Sequence, residues 1–320
     1  MEISVGTFNI KNLFSRFNFA ADISTLTPGE DAGGSSSIKY KVGDDAIYRL
    51  RKYMGKLVNG KSRKEREVVA GRIKSMDLDV LALQEVEDID VLKTFNHDLL
   101  GKLYPHHVLV EGNDKRLIDV ALYSKYPLRS VTSWHQHHHP QGARRPIFSR
   151  DLLQVEVMDK SRKKVLFTVF NTHLKSHYGD EKGASERRKN NDRRKKQAEA
   201  IHKIVSKEMD KDARYLIVGD MNDPVGSRYL APFTQSSLKL VNGLANPLET
   251  RPAKPERIES NNPNTTAWTH RYGAGNYELY DQIWLSRGLG GKLKSAHIDR
   301  RTKHGGDGSD HDPAWVVLKL

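Results

Sequence analysis

The sequence predicts an α/β fold with a two-layer β core and helices outside it. Three observations support this. Short apolar runs of strand character recur along the chain, runs with helical spacing fall between them, and no fixed-period repeat or long Pro/Ser-rich linker divides the 320 residues. A hydrophobic content of 37% is enough for a sizeable core. The expectation is one domain over residues 1–320, with an insertion around 25–76.

Ile3–Asn9 (ISVGTFN) opens the chain as a strand, and Thr25–Ser37, rich in Gly, Ser and Pro, reads as a surface loop. Behind Asp44 as an N-cap, Ile47, Leu50, Met54, Leu57 and Val58 recur at helical spacing. Ser62 and Glu65 form a capping-box pattern ahead of Val68, Val69, Ile73 and Met76, which predicts a second helix. Asp79–Glu85 (DVLALQE) reads as a strand, and Ile89, Leu92, Phe95 and Leu99 as one helix face. Further strands are predicted at His106–Val110, Ile118–Ser124, Asp151–Val157, Lys164–Phe170, Arg214–Gly219, Glu278–Ser286 and Pro313–Leu320.

Lys and Arg number 53 against 40 Asp and Glu, a net charge of +13, so an acidic polymer is one natural partner and a generously charged surface the plain alternative. The absence of Cys excludes disulfides, thiolate metal sites and a Cys nucleophile. The chain opens directly in an apolar strand, with no basic segment leading an apolar stretch, and no run has the length of a membrane span. The expectation is a soluble cytoplasmic protein with no membrane partner.

Several strands end in polar residues that folding alone does not require: Glu85 after LALQ, Asn171 and His173 after LFTVF, Asp220 and Asn222 around LIVGDMN. Strand C-termini are where α/β folds collect their sites, because the strand fixes the side chain and the loop after it leaves it accessible. Any one of these residues would serve as a turn-former, but several together with complementary chemistry suggest a shared site. Cleaving a phosphodiester calls for carboxylate and amide oxygens to hold a hard cation, a base for water, and donors for the phosphoryl oxygens. Glu85, Asp220 and Asp310 supply carboxylates, Asn9 and Asn222 amides, and His173 and His311 imidazoles, with Asp281 suited to orient an imidazole.

The sequence resembles the endonuclease/exonuclease/phosphatase superfamily in six segments that follow the family's order. These are Phe8-Asn9-Ile10, Leu83-Gln84-Glu85-Val86, Asn171-Thr172-His173-Leu174-Lys175, Gly219-Asp220-Met221-Asn222, Tyr280-Asp281-Gln282-Ile283 and Ser309-Asp310-His311-Asp312-Pro313. Each is weak alone, but the ordered set spans nearly the whole chain. The fifth departs from the family in reading Tyr-Asp-Gln, where Asp-Tyr or Asp-His is usual. The resemblance implies a four-layer α/β sandwich of two mixed β-sheets packed face to face, with the site at one edge. It further implies Mg2+ as cofactor, with Mn2+ as its substitute, held by Glu85 with Asn9 and Asp310 beside it. His311 would take a proton from water while Asp281 orients it, Asp220 and Asn222 would position the nucleophile or a second metal, and His173 would stabilise the transition state. Arg116 and Asp119, in GNDKRLIDVALYS, resemble a segment of bacterial nuclease-like members.

Arg187, Arg188, Lys189, Arg193, Arg194, Lys195 and Lys196 follow the His173 segment on a run with helical spacing, which favours a phosphate-binding face over a plain solvated one. Arg116, Lys175 and Arg193–Lys196 are therefore the expected phosphate contacts. The stretch from Trp134 to Pro140 is rich in His but lacks the spacing of a zinc site. The expected function is a magnesium-dependent nuclease without strong sequence specificity, DNA favoured as partner. The alternatives are a phosphodiesterase or phosphatase of a lipid or small phosphoester, and a non-catalytic nucleic-acid-binding member.

Overall fold

The computed structural model describes residues 1–14, 61–114, 116–138, 145–234, 237–249, 267–272, 276–300 and 308–320. The loop expected over 25–37 and the helix expected behind Asp44 lie outside the described residues. The elements, in chain order, begin with β1 (Glu2–Leu13), α1 (Arg63–Met76), β2 (Val80–Val86), α2 (Ile89–Asp98), β3 (His106–Leu109), β4 (Asp119–Ser124) and β5 (Leu128–Ser133). There follow β6 (Leu152–Met158), β7 (Val165–His173), α3 (Ala184–Glu208), β8 (Tyr215–Asp220), α4 (Ala231–Thr234), β9 (Val241–Asn242) and β10 (Leu248–Glu249). The last are β11 (His270–Tyr272), β12 (Asn276–Glu278), β13 (Asp281–Leu285), α5 (Arg287–Gly290), β14 (Leu293–Ile298) and β15 (Ala314–Lys319).

One sheet has the order β10-β14-β15-β1-β2-β4-β3 and the other β5-β6-β7-β8-β13-β9, while β11 and β12 form a separate hairpin. Both large sheets are mixed. β1 runs parallel to β2 and antiparallel to β15, and β7 runs parallel to β8 and antiparallel to β6. β1 and β15 are thus neighbours in the middle of the first sheet, so residues far apart in the sequence lie side by side.

Strand alternation sorts the side chains into layers. Ile3, Val5, Val80, Ala82, Val120 and Leu122 of the first sheet interlock with Leu153, Val155, Val169, Leu216, Val218 and Ile283 of the second. The opposite faces are covered by helices. Phe8, Leu81, Leu83 and Tyr123 pack under Val69 and Ile73 of α1 and Leu92 and Phe95 of α2, and Phe170, Ile217 and Trp284 pack under Ile201, Ile204 and Val205 of α3. The result is the expected four-layer order of helix, sheet, sheet, helix. Each fully buried Leu, Ile or Phe contributes about 1.5–3 kcal/mol, so the three apolar clusters fix the layers.

The capping box at the start of α1 forms as predicted: the Glu65 amide donates to Ser62 Oγ and the Ser62 amide to Glu65 Oε2. Arg72 of α1 then reaches the far end of the chain. Its Nε donates to Asp299 Oδ2 at 2.9 Å and its Nη2 to Asp312 Oδ1 at 3.1 Å, while Lys61 Nζ donates to the Gly308 carbonyl. Gly308, at φ 76°, lies so close that a Cβ there would meet the Glu65 carbonyl oxygen at 2.6 Å. The start of α1 therefore seats the segment that carries Asp310 and His311.

Candidate active site

At one end of the sandwich the inward-facing residues change from aliphatic to polar. Thr7 Oγ1 donates to Gln84 Oε1, Gln84 Nε2 donates to Asn171 Oδ1 at 2.8 Å, and Asn171 Nδ2 donates to the Leu83 and Ala121 carbonyls. These buried bonds lock β1, β2, β4 and β7 in register and form the floor of the site.

Glu85 is one of the few non-glycine residues in the left-handed region, at φ 65°. It is skipped in both pairings of β2: register runs Asn9↔Gln84 then Leu13↔Val86 on one side, and Gln84↔Val120 then Val86↔Asp119 on the other. Strict alternation would send Glu85 toward the helices with Leu81 and Leu83; the bulge re-aims it. Its Oε2 accepts from the Asn12 amide at 3.0 Å, and Asn12 is itself at φ 56°. Backbone strain of this kind costs about 1–3 kcal/mol and persists where the surroundings impose it, typically at functional sites.

Gly219 is required by close approach. It sits at φ 135°, and a Cβ would lie 1.9 Å from the Thr172 carbonyl oxygen. That contact sets β7 beside β8, so that His173 pairs with Asp220 in register. His173 Nε2 lies 3.4 Å from Asp220 Oδ2, Asn9 Nδ2 donates to the same oxygen at 2.9 Å, and the Asn222 amide donates to Asp220 Oδ1 at 2.8 Å. Asn222, at φ 50°, is anchored by Nδ2 to the Leu174 carbonyl at 3.2 Å.

His311 completes the cluster. Its Nδ1 is 2.7 Å from Asp281 Oδ2 and its Nε2 is 3.8 Å from Asp220 Oδ2. Ser309 Oγ donates to the Asn9 carbonyl and accepts from the His311 amide, tying the ring's backbone to β1. Burial alone would lower the pKa of His311, but Asp281 and Asp220 push it up to about 10. Burial raises that of Asp220, against the lowering effect of His311. His173 is held well below the ordinary histidine range by burial, with the Arg150 and His311 charges acting the same way, so its ring is neutral.

Beside this cluster lie two further carboxylates. Asp310 Oδ2 is 3.3 Å from Lys11 Nζ; burial would raise its pKa, but His311, Lys11 and His270 bring it to about 2. Burial lowers Lys61 to about 8, with Asp310 and Glu85 in electrostatic reach. Among the described residues no three His, Cys, Asp or Glu side chains converge as a metal cage. Glu85 and Asp310 both act on Lys61, and the Asn9 side-chain oxygen accepts from the Lys11 amide at 3.0 Å; carboxylate and amide oxygens are the donor types that a hard cation takes.

The sequence reading missed Arg150. It is fully buried at the start of β6, 2.9 Å from Asp114 Oδ2, with Nη1 donating to the Leu174 carbonyl at 3.3 Å. Glu85, Asp220 and Arg116 all lie within its electrostatic reach. The available signal was an arginine placed between Phe148 and the apolar start of a strand, since buried arginines are rare without a partner or ligand. Lys175 and Arg116 join it. Lys175 Nζ donates to the Ser176 and Tyr178 carbonyls, and burial together with Arg150, Arg116 and Arg194 lowers its pKa to about 8. Arg116 is half-exposed and pairs with Asp114 at 3.3 Å.

The basic run on α3 divides. Arg194 is fully buried, with Nε on Asp223 Oδ2 at 3.0 Å and Nη1 on the Lys175 carbonyl at 2.9 Å. Arg193 is partly buried and donates to the Pro146 and Ile147 carbonyls. Arg194, expected as a phosphate contact, is instead taken up wholly in the packing of α3, and Arg193 is taken up in part. A 25-residue helix with one face on a sheet must bury whatever falls on that face, and Arg194 falls there with Ala198 and Ile201. Lys196 is half-buried, and Arg187, Arg188, Lys189 and Lys195 are exposed.

The structure resembles several solved proteins at low identity. An endonuclease/exonuclease/phosphatase from Bacteroides vulgatus matches with a TM-score of 0.62 and 17% identity, over 100% of this chain and 99% of that one. An AP endonuclease from Archaeoglobus fulgidus matches with 0.59 and 15%, over 99% and 100%. A mannosyl-6-phosphatase from Bacteroides thetaiotaomicron matches with 0.55 and 13%, over 99% and 100%. A search of curated protein sequences finds no significant match. At these identities the neighbours establish the fold, and the different activities they are named for show that the fold does not choose a substrate. The family model for "Endonuclease/Exonuclease/phosphatase family" matches residues 57–311, well over half of the sequence. With the four-layer sandwich and the edge cluster it frames, this chain belongs to the endonuclease/exonuclease/phosphatase family.

Proposed function

We propose that the protein is a magnesium-dependent nuclease, a single domain that hydrolyses phosphodiester bonds in nucleic acid, with DNA the favoured substrate and no strong sequence specificity. Members of the family are generally hydrolases of phosphoester bonds and typically use divalent metals. The observation that carries the reading is the meeting, at one end of the sandwich, of the His311–Asp281 pair with Asp220 and His173, beside the open Glu85–Asp310 carboxylates and the buried Arg150.

Glu85, Asp310 and Asn9 would hold the cation, which when bound supplies positive charge to the phosphoryl oxygens and a lowered pKa for water. The protein groups move the proton. Asp281 fixes the His311 ring through Nδ1, leaving Nε2 toward Asp220, so a proton taken from the attacking water at one of these groups can pass to the other and on to the leaving oxygen. Asn9 and the Asn222 amide hold the Asp220 carboxylate in place by two hydrogen bonds. Arg150 and neutral His173 would stabilise the charge that develops on the phosphoryl group, since a preorganised cation in a buried setting is worth more than in water. Arg150 is anchored by Asp114 and the Leu174 carbonyl, so no reorganisation is needed when substrate binds.

The net charge of +13 and the exposed Arg187, Arg188, Lys189 and Lys195 on α3 favour a polyanion over a small phosphoester. No helix among the described residues is long and apolar enough to cross a membrane. The test is incubation of the purified protein with supercoiled plasmid, linear duplex, single-stranded DNA and RNA, in magnesium, manganese or EDTA, beside Glu85→Ala. Metal-dependent cleavage that disappears in the variant supports the reading. Hydrolysis confined to small phosphomonoesters or lipids would overturn it.

A further inference from the structure

The loop that leaves β7 runs from Ser176 to Gly183 before α3 begins, and at its turn stands Tyr178, with 73% of its surface in water. Among the described residues it is the most exposed of the large apolar side chains, and the one aromatic among them. A single exposed tyrosine on a surface needs no explanation. This one differs in where it stands and in how firmly its backbone is held.

Its position follows from a row of rings that begins at the catalytic histidine. His270 lies against His311 with ring centroids 4.4 Å apart, Tyr280 stacks on His270 at 5.1 Å, and His177 stacks on Tyr280 at 5.8 Å. Tyr178 follows His177, the last ring of that row, directly in the chain. Its backbone is pinned from two directions: Lys175 Nζ and Asn190 Nδ2 both donate to the Tyr178 carbonyl, at 3.3 and 3.1 Å. The flanking residues are tied as well, His177 Nδ1 to Asp180 Oδ2 at 2.9 Å and Asp180 Oδ1 to Asn190 Nδ2 at 2.6 Å. The loop is therefore a built platform whose one apolar side chain belongs to none of the core clusters, and Lys182 in the same loop and Arg187 in the first turn of α3 are exposed cations nearby in sequence.

We propose that Tyr178 is a substrate-binding residue that stacks on a nucleobase of the substrate strand next to the scissile phosphate. The inference rests on the nuclease reading and deepens it. Cations at the rim track the phosphates, the ring takes the π-face that every base offers, and sequence tolerance follows because stacking does not read base edges. Two pinned hydrogen bonds on the carbonyl lower the ordering cost of presenting the ring.

The test compares the parent with Tyr178→Ala, Tyr178→Phe and Tyr178→Trp. Equilibrium binding to a single-stranded oligonucleotide is measured in EDTA, beside an oligomer of equal length whose central nucleotides lack bases. Tyr178→Ala should weaken binding to the intact strand about tenfold or more and raise KM with little change in kcat. Phe and Trp should restore both, and the deficit should vanish on the baseless strand. A 2-aminopurine placed next to the cleaved bond should be quenched by the parent and not by Tyr178→Ala. Equal affinity of Tyr178→Ala and the parent, or an equal deficit on both strands, would overturn the stacking role while leaving a nuclease that still cleaves. A parent that hydrolyses a small phosphoester but neither binds nor cleaves any polymer would remove the nuclease reading, and the stacking role with it.

Discussion

His311 Nδ1 meets Asp281 Oδ2 at 2.7 Å in a setting where the carboxylate is fully buried and the ring nearly so. The two residues are thirty apart in sequence and are brought together because β13 begins, at Asp281, beside the end of β8, while Ser309 ties the segment that leads into β15 to the Asn9 carbonyl of β1. The carboxylate fixes the tautomer and the tilt of the ring together. Asp281→Asn keeps the shape but can offer an amide N–H to Nδ1, which favours the wrong tautomer. A fall in kcat of about 10²–10⁴ is expected, with KM little changed, and steady-state kinetics on a cleaved substrate checks it. A fall no larger than twofold would remove His311 from proton transfer.

Glu85 makes a second, sharper prediction because its function and its conformation pull in opposite directions. At φ 65° a glutamate is strained by about 1 kcal/mol relative to glycine, so Glu85→Gly relieves the backbone while deleting the carboxylate. The variant should lose metal-dependent turnover yet melt no lower than the parent, whereas Glu85→Ala loses activity and keeps the strain. Thermal denaturation beside an activity assay separates the two. A Glu85→Gly variant that melts several degrees lower would show that the carboxylate's bond with the Asn12 amide outweighs the strain.

How much of this was legible in the sequence depends on whether local pattern or tertiary context decides the residue. Glu85, His173 and Asp220 stood out because each is a polar residue ending an apolar run, a local signal. The bulge that turns Glu85 was not legible, since a positive φ at glutamate leaves no trace in composition. β5 (LRSVTS) and β14 (LKSAHI) escaped because their alternation is carried by few apolar residues, and half of β5 is exposed at a sheet edge. Arg150 was passed over and Arg194 placed at the surface for one shared reason: charge reads as surface until a partner is found. Their partners, Asp114 and Asp223, lie 36 and 29 residues away.

The divided basic run on α3 turns that lesson into a measurement. Replacing Arg187, Arg188 and Lys189 by Gln should leave the melting temperature unchanged and reduce the salt dependence of DNA binding by about 0.9 in slope for each phosphate no longer neutralised. Arg194→Ala should do the reverse. Removing one partner of a buried pair leaves Asp223 without its guanidinium, which lowers stability by about 3–5 kcal/mol. Chemical denaturation and binding titrations over a salt series are the two readouts. An unaltered slope in the triple variant would reduce that face to a solvated one.

Acid–base behaviour away from the reacting groups offers a last prediction, at Asp151 where β6 begins. Burial raises its pKa from 3.8 to about 7, although Ser133 and the amides of Trp134, Leu152 and His135 work against the shift. Asp119, its neighbour in charge, is raised to about 7 by burial as well. A carboxyl whose folded pKa lies above its unfolded value holds its proton better when folded. Its stabilising contribution is therefore complete below about pH 3.8 and is lost as the pH rises through about 7. Asp151→Asn keeps an acceptor for the Trp134 amide, which lies 2.8 Å from Oδ1, and cannot ionise. It should unfold at the same denaturant concentration as the parent near pH 4 and at a higher one near pH 8, with the difference opening between those limits. Parallel denaturation curves across that range would show that Asp151 ionises in the folded protein no later than in the unfolded chain.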